Sequence, residues 1–318
     1  MKGLWKVLGL GAALALVAYF AWFAAHAFDV DALKVLRYPR VAAAMLLAVL
    51  LYATIIPVSA IAWQRLVRQQ GESWRASELA PIMGLTQLAK YIPGNVAQLA
   101  SRAVLALRAG MSSRVYAISV VQESLLAVVA SLIVGLGMLV LSAEGLAQLP
   151  AAARGAVVVL GLTSAAVVLV LCSFELPARD LLVHRRWWVR ILGHAGGLPG
   201  AAVGLPVLAA YCINYLIIGI ALWIIAQALQ LPPSVDLATL TAAFTLSWTF
   251  GYFAPGAPAG IGVREGTMLL LMGGVAPDAQ LLLLVLLARV ITTLGDGICF
   301  AVAWLGTRNA GITRTAKP

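Results

Sequence analysis

Charge is scarce in this chain: 11% of its 318 residues are Asp, Glu, Lys or Arg, against 62% hydrophobic residues. Soluble domains carry about 25% charged residues. With a mean hydropathy of +0.97, no soluble core of this length would bury so much apolar side chain, and the chain reads as an all-α polytopic membrane protein. Cysteine is nearly absent. Cys172, Cys212 and Cys299 are odd in number and all fall in predicted spans, so they make neither a disulfide frame nor a metal site.

The chemical signatures are missing as well. No GxxxxGK[ST] phosphate loop is present, which excludes ATP hydrolysis by this chain, and no HExxH, paired cysteines or GxSxG supports metal or nucleophilic catalysis. The expectation is a protein that is not an enzyme, with no cofactor and no metal. The formal net charge of +10 reads as membrane topology and anionic headgroups, with no nucleic acid partner.

Apolar segments long enough to cross about 30 Å of hydrocarbon fall near 4–25, 41–63, 115–141, 155–173, 205–228 and 279–305, with a shorter arm at 237–254. That predicts six to seven spanning helices. The first has Lys2 and Lys6 before it and Ala24-Ala25-His26 within it, like a signal peptide, but its length and the spans that follow favour an uncleaved helix.

With the N-terminus inside, fifteen basic loop residues fall on the cytoplasmic side and four outside, namely Lys34, Arg37, Arg40 and Arg154. Both termini are therefore expected in the cytoplasm. Residues 174–204 form a basic linker, in which Leu181, Leu182, Trp188, Ile191 and Leu192 suit an interfacial helix and Arg185, Arg186 and Arg190 reach headgroups. A membrane anchor or a substrate-gathering patch would both use it.

Against this background one pattern occurs twice, about 160 residues apart: an aromatic residue, Pro-Gly, then Arg eight residues after the Gly. The copies are YIPGNVAQLASR, with Pro93, Gly94 and Arg102, and FAPGAPAGIGVR, with Pro255, Gly256 and Arg264. Pro and Gly break helices, and an arginine at the bilayer centre costs roughly 2.5 to 3.5 kcal/mol on insertion scales. The loop charges require residues 79–110 to enter and leave on the cytoplasmic face and residues 237–275 on the other. Each is then a re-entrant helical hairpin, one in the first half (1–141) and one in the second (205–318) of a single transmembrane domain. Together they form an inverted repeat of the kind secondary transporters use, with a site between the tips.

Membrane-embedded ionisable groups are the candidates for function: Lys90, Arg102, Glu123, Arg264, Glu265, Arg289 and Asp296. Arg289 and Asp296 are seven residues apart, hence on one helix face, and are expected to form a structural ion pair. Arg102 and Arg264 have two readings. They pair with Glu123 or Glu265 or snorkel to an interface, or they hold a phosphate as bidentate donors helped by broken half-helices. The glycines of PGAPAGIGVREG, including Gly260, Gly262 and Gly266, bare backbone N–H groups for an oxyanion or serve close helix packing.

At AKYIPGNVAQLASRAVLALRAGMS and APGAPAGIGVREG the sequence resembles the flippase-like transmembrane domain of lysylphosphatidylglycerol synthases and its stand-alone relatives. The span pattern extends the likeness over most of the chain. The resemblance implies movement of lipids or lipid-linked sugars, in some members aminoacylated phosphatidylglycerol, and a functional second motif at Pro258, Gly260, Gly262, Arg264 and Glu265. Ala259 stands where many relatives have glycine and Asn95 where a basic residue is frequent, which bears on headgroup preference. The soluble aminoacyl-transferring domain of the synthases is not expected here.

The sequence thus predicts a bacterial cytoplasmic-membrane flippase for an anionic phospholipid or polyprenyl-phosphate-linked lipid. Its partners would be membrane lipids, with a homo-oligomer or an envelope enzyme as further candidates. Two rival readings are a small-solute transporter, whose cavity would be closed to the bilayer, and a non-transporting partner of an envelope-biogenesis enzyme.

Overall fold

A computed structural model describes residue 34 and residues 37–91, 97–142, 199–254 and 257–310. The predicted spans at 4–25 and 155–173, most of the basic linker, and Pro93, Gly94, Pro255 and Gly256 lie outside the described residues. Everything regular among the described residues is helical.

Helices α1 (Pro39–Ala53) and α2 (Ile55–Gln69) are one apolar run bent at Thr54. Pro57 explains the bend: it lacks an N–H, and its ring crowds the carbonyl four residues earlier. Two short helices follow, α3 (Ala76–Leu85) and α4 (Ala97–Arg108), with a 3-10 turn at Gln87–Tyr91 between them. The first half ends in α5 (Ser113–Leu141), which Ser112 caps by accepting the Val115 N–H at 3.3 Å.

The second half repeats this order. Helix α6 (Ala201–Ala228) precedes α7 (Leu237–Phe253), a 3-10 turn at Pro258–Gly260, the short α8 (Val263–Met272) and α9 (Asp278–Ala310). Among the described residues four segments are long and apolar enough to cross a membrane: the α1–α2 run, α5, α6 and α9 through Arg308. The structure thus agrees with the predicted spans at 41–63, 115–141, 205–228 and 279–305 within a few residues. The described end of the linker differs, since helix α6 already begins at Ala201. By contrast α3 and α8 have ten residues each, about 15 Å at 1.5 Å per residue, half of what a crossing needs.

Both short-helix segments begin and end in one place. Glu72, before α3, accepts the Ser112 backbone N–H at 2.9 Å and Trp74 Nε1 at 2.8 Å, joining the start of 76–108 to its end. Partial burial pushes the Glu72 carboxyl up, but the hydrogen bonds from Ser112 and Trp74 outweigh it and hold it below the usual carboxylate range. In the second half Ser234 donates to the Val275 carbonyl at 2.7 Å, joining the start of 237–272 to its end.

Helix α9 runs past both segments. Near its C-terminal end Gly84 of α3 lies so close that a Cβ there would sit 2.8 Å from both Ala303 Cβ and the Cys299 carbonyl. In its middle it meets the 87–91 turn and α8, and those two breaks are brought together, because the 87–91 turn touches the 258–260 turn. The apolar core of the second half gathers α1, α6, α7, α8 and α9 around Leu222, Ile225, Leu240, Met272 and Leu284. A separate core joins α2 to α5 through Trp63, Val67, Leu79 and Tyr116.

Candidate functional site

Among the described residues the 259–265 segment has the least ordinary backbone. Ala259 (φ 50°), Gly260 (φ 69°) and Gly262 (φ 80°) all lie in the left-handed region. Gly takes this conformation freely, while an L-residue such as Ala259 is strained there by about 1 to 2 kcal/mol. Side chains hold it in place. Glu265 Oε2 accepts the Gly262 N–H at 2.6 Å, Arg289 Nε lies 3.2 Å from Glu265 Oε1, and Arg289 Nη1 donates to the Ala259 carbonyl at 3.2 Å.

Arg264 emerges from this braced loop. Its aliphatic stem runs between Gly251 of α7 and Gly260. A Cβ built on Gly260 would meet Arg264 Cγ and Cδ at 2.8 Å, and one on Gly251 would overlap the same stem. The guanidinium lies 4.9 Å from the centre of the Phe244 ring, a favourable cation–π arrangement. Its Nε is buried without a hydrogen-bond partner. Among the described residues no carboxylate comes within ion-pair distance of Arg264, because the adjacent Glu265 turns to Arg289.

The side chain lines a small pocket with Phe244, Ser247, Glu265, Met268, Val285, Ala288, Arg289 and Thr292, which has room for about one water.

Beside the pocket sits Asp296, 1% exposed and served by three donors. Lys90 Nζ and Tyr91 Oη reach its Oδ2 at 2.7 Å each, and Tyr52 Oη reaches Oδ1 at 3.1 Å. Tyr52 comes from the end of α1 and packs its ring against Gly295, where any Cβ would collide with it. Lys90 and Tyr91 belong to the first motif, whose turn thereby docks on α9.

The expected Arg289–Asp296 pair does not form. Seven residues of helix separate the two by about 10.5 Å along the axis, and each finds a nearer tertiary partner, Glu265 and Lys90 respectively.

Lys90, Arg264, Arg289, Glu265 and Asp296 interact electrostatically as one group. Among the described residues three cations face two carboxylates, which leaves one positive charge in excess. In a membrane interior that surplus is expensive unless an anion or water offsets it.

Arg102 has the opposite fate. It is 6% exposed, its Nη2 is 2.7 Å from Glu123 Oε2, and its guanidinium lies 3.7 Å over the Trp63 ring. Tyr211 donates to Glu123 Oε1 at 2.6 Å and Trp63 Nε1 to Ser119 Oγ at 2.9 Å. One cation matches one carboxylate here, so Arg102 makes the ion pair with Glu123 that is one of its two expected readings, although its Nε is buried without a hydrogen-bond partner.

The structure therefore gathers Lys90, Gly260, Gly262, Arg264, Glu265, Arg289 and Asp296 around one point and places Arg102 and Glu123 in another. Residues that the sequence did not single out are Tyr52, Phe244, Gly251 and Gly295. A tyrosine inside an apolar run and glycines that admit a distant side chain leave no local signal.

Comparison with known proteins adds one match: residues 10–298 match the family model described as the lysylphosphatidylglycerol synthase TM region. No curated protein matches the chain.

Proposed function

The chain belongs to the lysylphosphatidylglycerol synthase transmembrane-region family, and from that premise we propose that it moves an anionic lipid headgroup across the membrane, with Arg264 receiving the phosphate. Membership supports a membrane-lipid-related function. The observation that carries the finer reading is Arg264 itself, an arginine facing a pocket inside a membrane protein with no carboxylate partner among the described residues. A guanidinium offers a planar fork of donors that fits two phosphate oxygens at once, and it stays charged in any surroundings.

The segments 76–108 and 237–272 act as two re-entrant hairpins of opposite direction. Four features support this: the short α3 and α8, the hydrogen bonds that close each segment at its base, the contact between the two breaks, and their order along α9. The inverted repeat puts the tips at mid-membrane, where a headgroup enters between them while its acyl chains stay in lipid. The narrow pocket corresponds to a closed state, and rocking of one hairpin against the other exposes Arg264 to each side in turn. The cargo is an anionic phospholipid or a polyprenyl-phosphate-linked lipid, carried without a covalent change. The membrane is the bacterial cytoplasmic membrane, with both termini inside.

The test is transport by purified protein in vesicles. Fluorescent phosphatidylglycerol confined to one leaflet should redistribute faster than in empty vesicles. Arg264→Ala should return the rate to background while Arg264→Lys, which keeps the charge but loses the fork, retains a part. Equal rates for Arg264→Ala and the parent would remove the proposal.

A further inference from the structure

We propose that Lys90 is a second, exchangeable ligand for the anion that Arg264 receives: Asp296 holds it while the site is empty and yields it when an anion arrives. The proposal rests on the reading of Arg264 given above and adds a contribution from the first motif to a site built mainly by the second. It also gives Asp296 a task, that of a competitor for the bound anion.

Three observations carry it. The first is placement. Lys90 lies on the 87–91 turn, which touches the 258–260 turn of the Arg264 loop, and Lys90 and Arg264 are within electrostatic reach of one another. Two cations from two hairpin tips thus stand beside one pocket with one positive charge in excess.

The second is the way Asp296 is held. It accepts from Tyr91 at 2.7 Å and from Tyr52 at 3.1 Å besides pairing with Lys90. When Lys90 leaves, two hydroxyl donors stay behind, so the buried carboxylate is not orphaned. Removing the cation from a buried pair normally leaves an uncompensated charge, which is why such pairs resist exchange. Here the two tyrosines lower that barrier.

The third is the looseness of Lys90. Its side chain is 21% exposed, and beyond Asp296 its ammonium has only long contacts, 3.4 Å to Gln87 Oε1 and 3.5 Å to Tyr52 Oη. A compact ammonium on a flexible stem can turn from one oxyanion to another without a fixed geometry. Arg102, stacked on Trp63 and closed in by Glu123, has no such freedom.

Exchange would remove only one of the bonds that dock the 87–91 turn on α9, and Tyr91, still bonded to Asp296, keeps the turn in place.

The experiment measures binding of dihexanoylphosphatidylglycerol, a short-chain monoanionic phosphodiester, to the full chain in detergent by isothermal titration. Lys90→Gln should weaken binding roughly tenfold. Asp296→Asn, which removes the competitor but keeps an acceptor for the tyrosines, should strengthen it by roughly fivefold or more, within the usual range of coupling between sites. In a Lys90→Gln background the same Asp296→Asn change should have no effect. A purely structural pair predicts weaker binding from both single variants.

If folded Asp296→Asn protein binds the probe no better than the parent, while Arg264→Ala still abolishes binding, the proposal is overturned and the reading of Arg264 stands. If Arg264→Ala leaves binding intact, that reading fails and this proposal with it. Tyr91→Phe serves where Asp296→Asn does not fold. Stripping one donor from Asp296 tightens its hold on Lys90, so probe binding should weaken about twofold, and unchanged or tighter binding contradicts the proposal.

Discussion

At the scale of single residues, the two motif arginines divide by what surrounds them. Arg102 is neutralised by Glu123 and stacked on Trp63, so Arg102→Ala leaves a buried carboxylate unpaired and should cost about 3 to 5 kcal/mol, read as a large fall in melting temperature in detergent. Arg264→Ala should leave melting nearly unchanged, since no carboxylate among the described residues depends on it. Gly251→Ala tests the slot. Its new methyl group would displace the Arg264 stem, so transport should fall severalfold in a protein that still folds, and parental transport would show that the guanidinium position is not critical. The sequence singled out Arg264 by its place in the second motif and named both carboxylates of the site. It misassigned their partners because spacing along one helix is visible in sequence while the approach of another helix is not. Glu265 meets Arg289, and Asp296 meets Lys90, only through tertiary packing.

At the scale of elements, hydrophobic length made four spans legible to within about six residues at each end, because about 20 apolar residues in a row admit few other readings. The bend at Thr54 follows from Pro57, but its place beside the site does not, because nothing local reveals that Tyr52 will reach Asp296. Loop charge gave the two hairpins their expected directions. A cysteine at the exposed Ser113 and another at the exposed Gln280, in a chain with its three native cysteines replaced by alanine, should react with an impermeant thiol reagent from opposite sides of the membrane. Labelling of both from one side would contradict opposed hairpins.

The base of the 76–108 segment has its own pH dependence. The folded Glu72 carboxyl is held below its usual value near 4.5, so it contributes stability above that pH and loses it as pH falls through the lower folded value. The difference in melting temperature between the parent and Glu72→Gln should therefore shrink as pH drops below about 4.

At the scale of the whole molecule, two helical halves meet along α9, whose midpoint carries the second-motif loop at Arg289 and the first-motif turn at Asp296. The family match extends over residues 10–298, so the site lies inside the region the family shares. Under the proposed function a headgroup needs a charged point to receive it, and the surplus positive charge around Arg264 would supply one. The measurement that tests this most directly is a cryo-electron microscopy map of the protein in nanodiscs containing phosphatidylglycerol, at a resolution that separates a phosphate from water. The account predicts phosphate density between the two breaks, within hydrogen-bond distance of the Arg264 guanidinium. Lipid density confined to the outer surface, with Arg264 paired to a protein carboxylate, would contradict it.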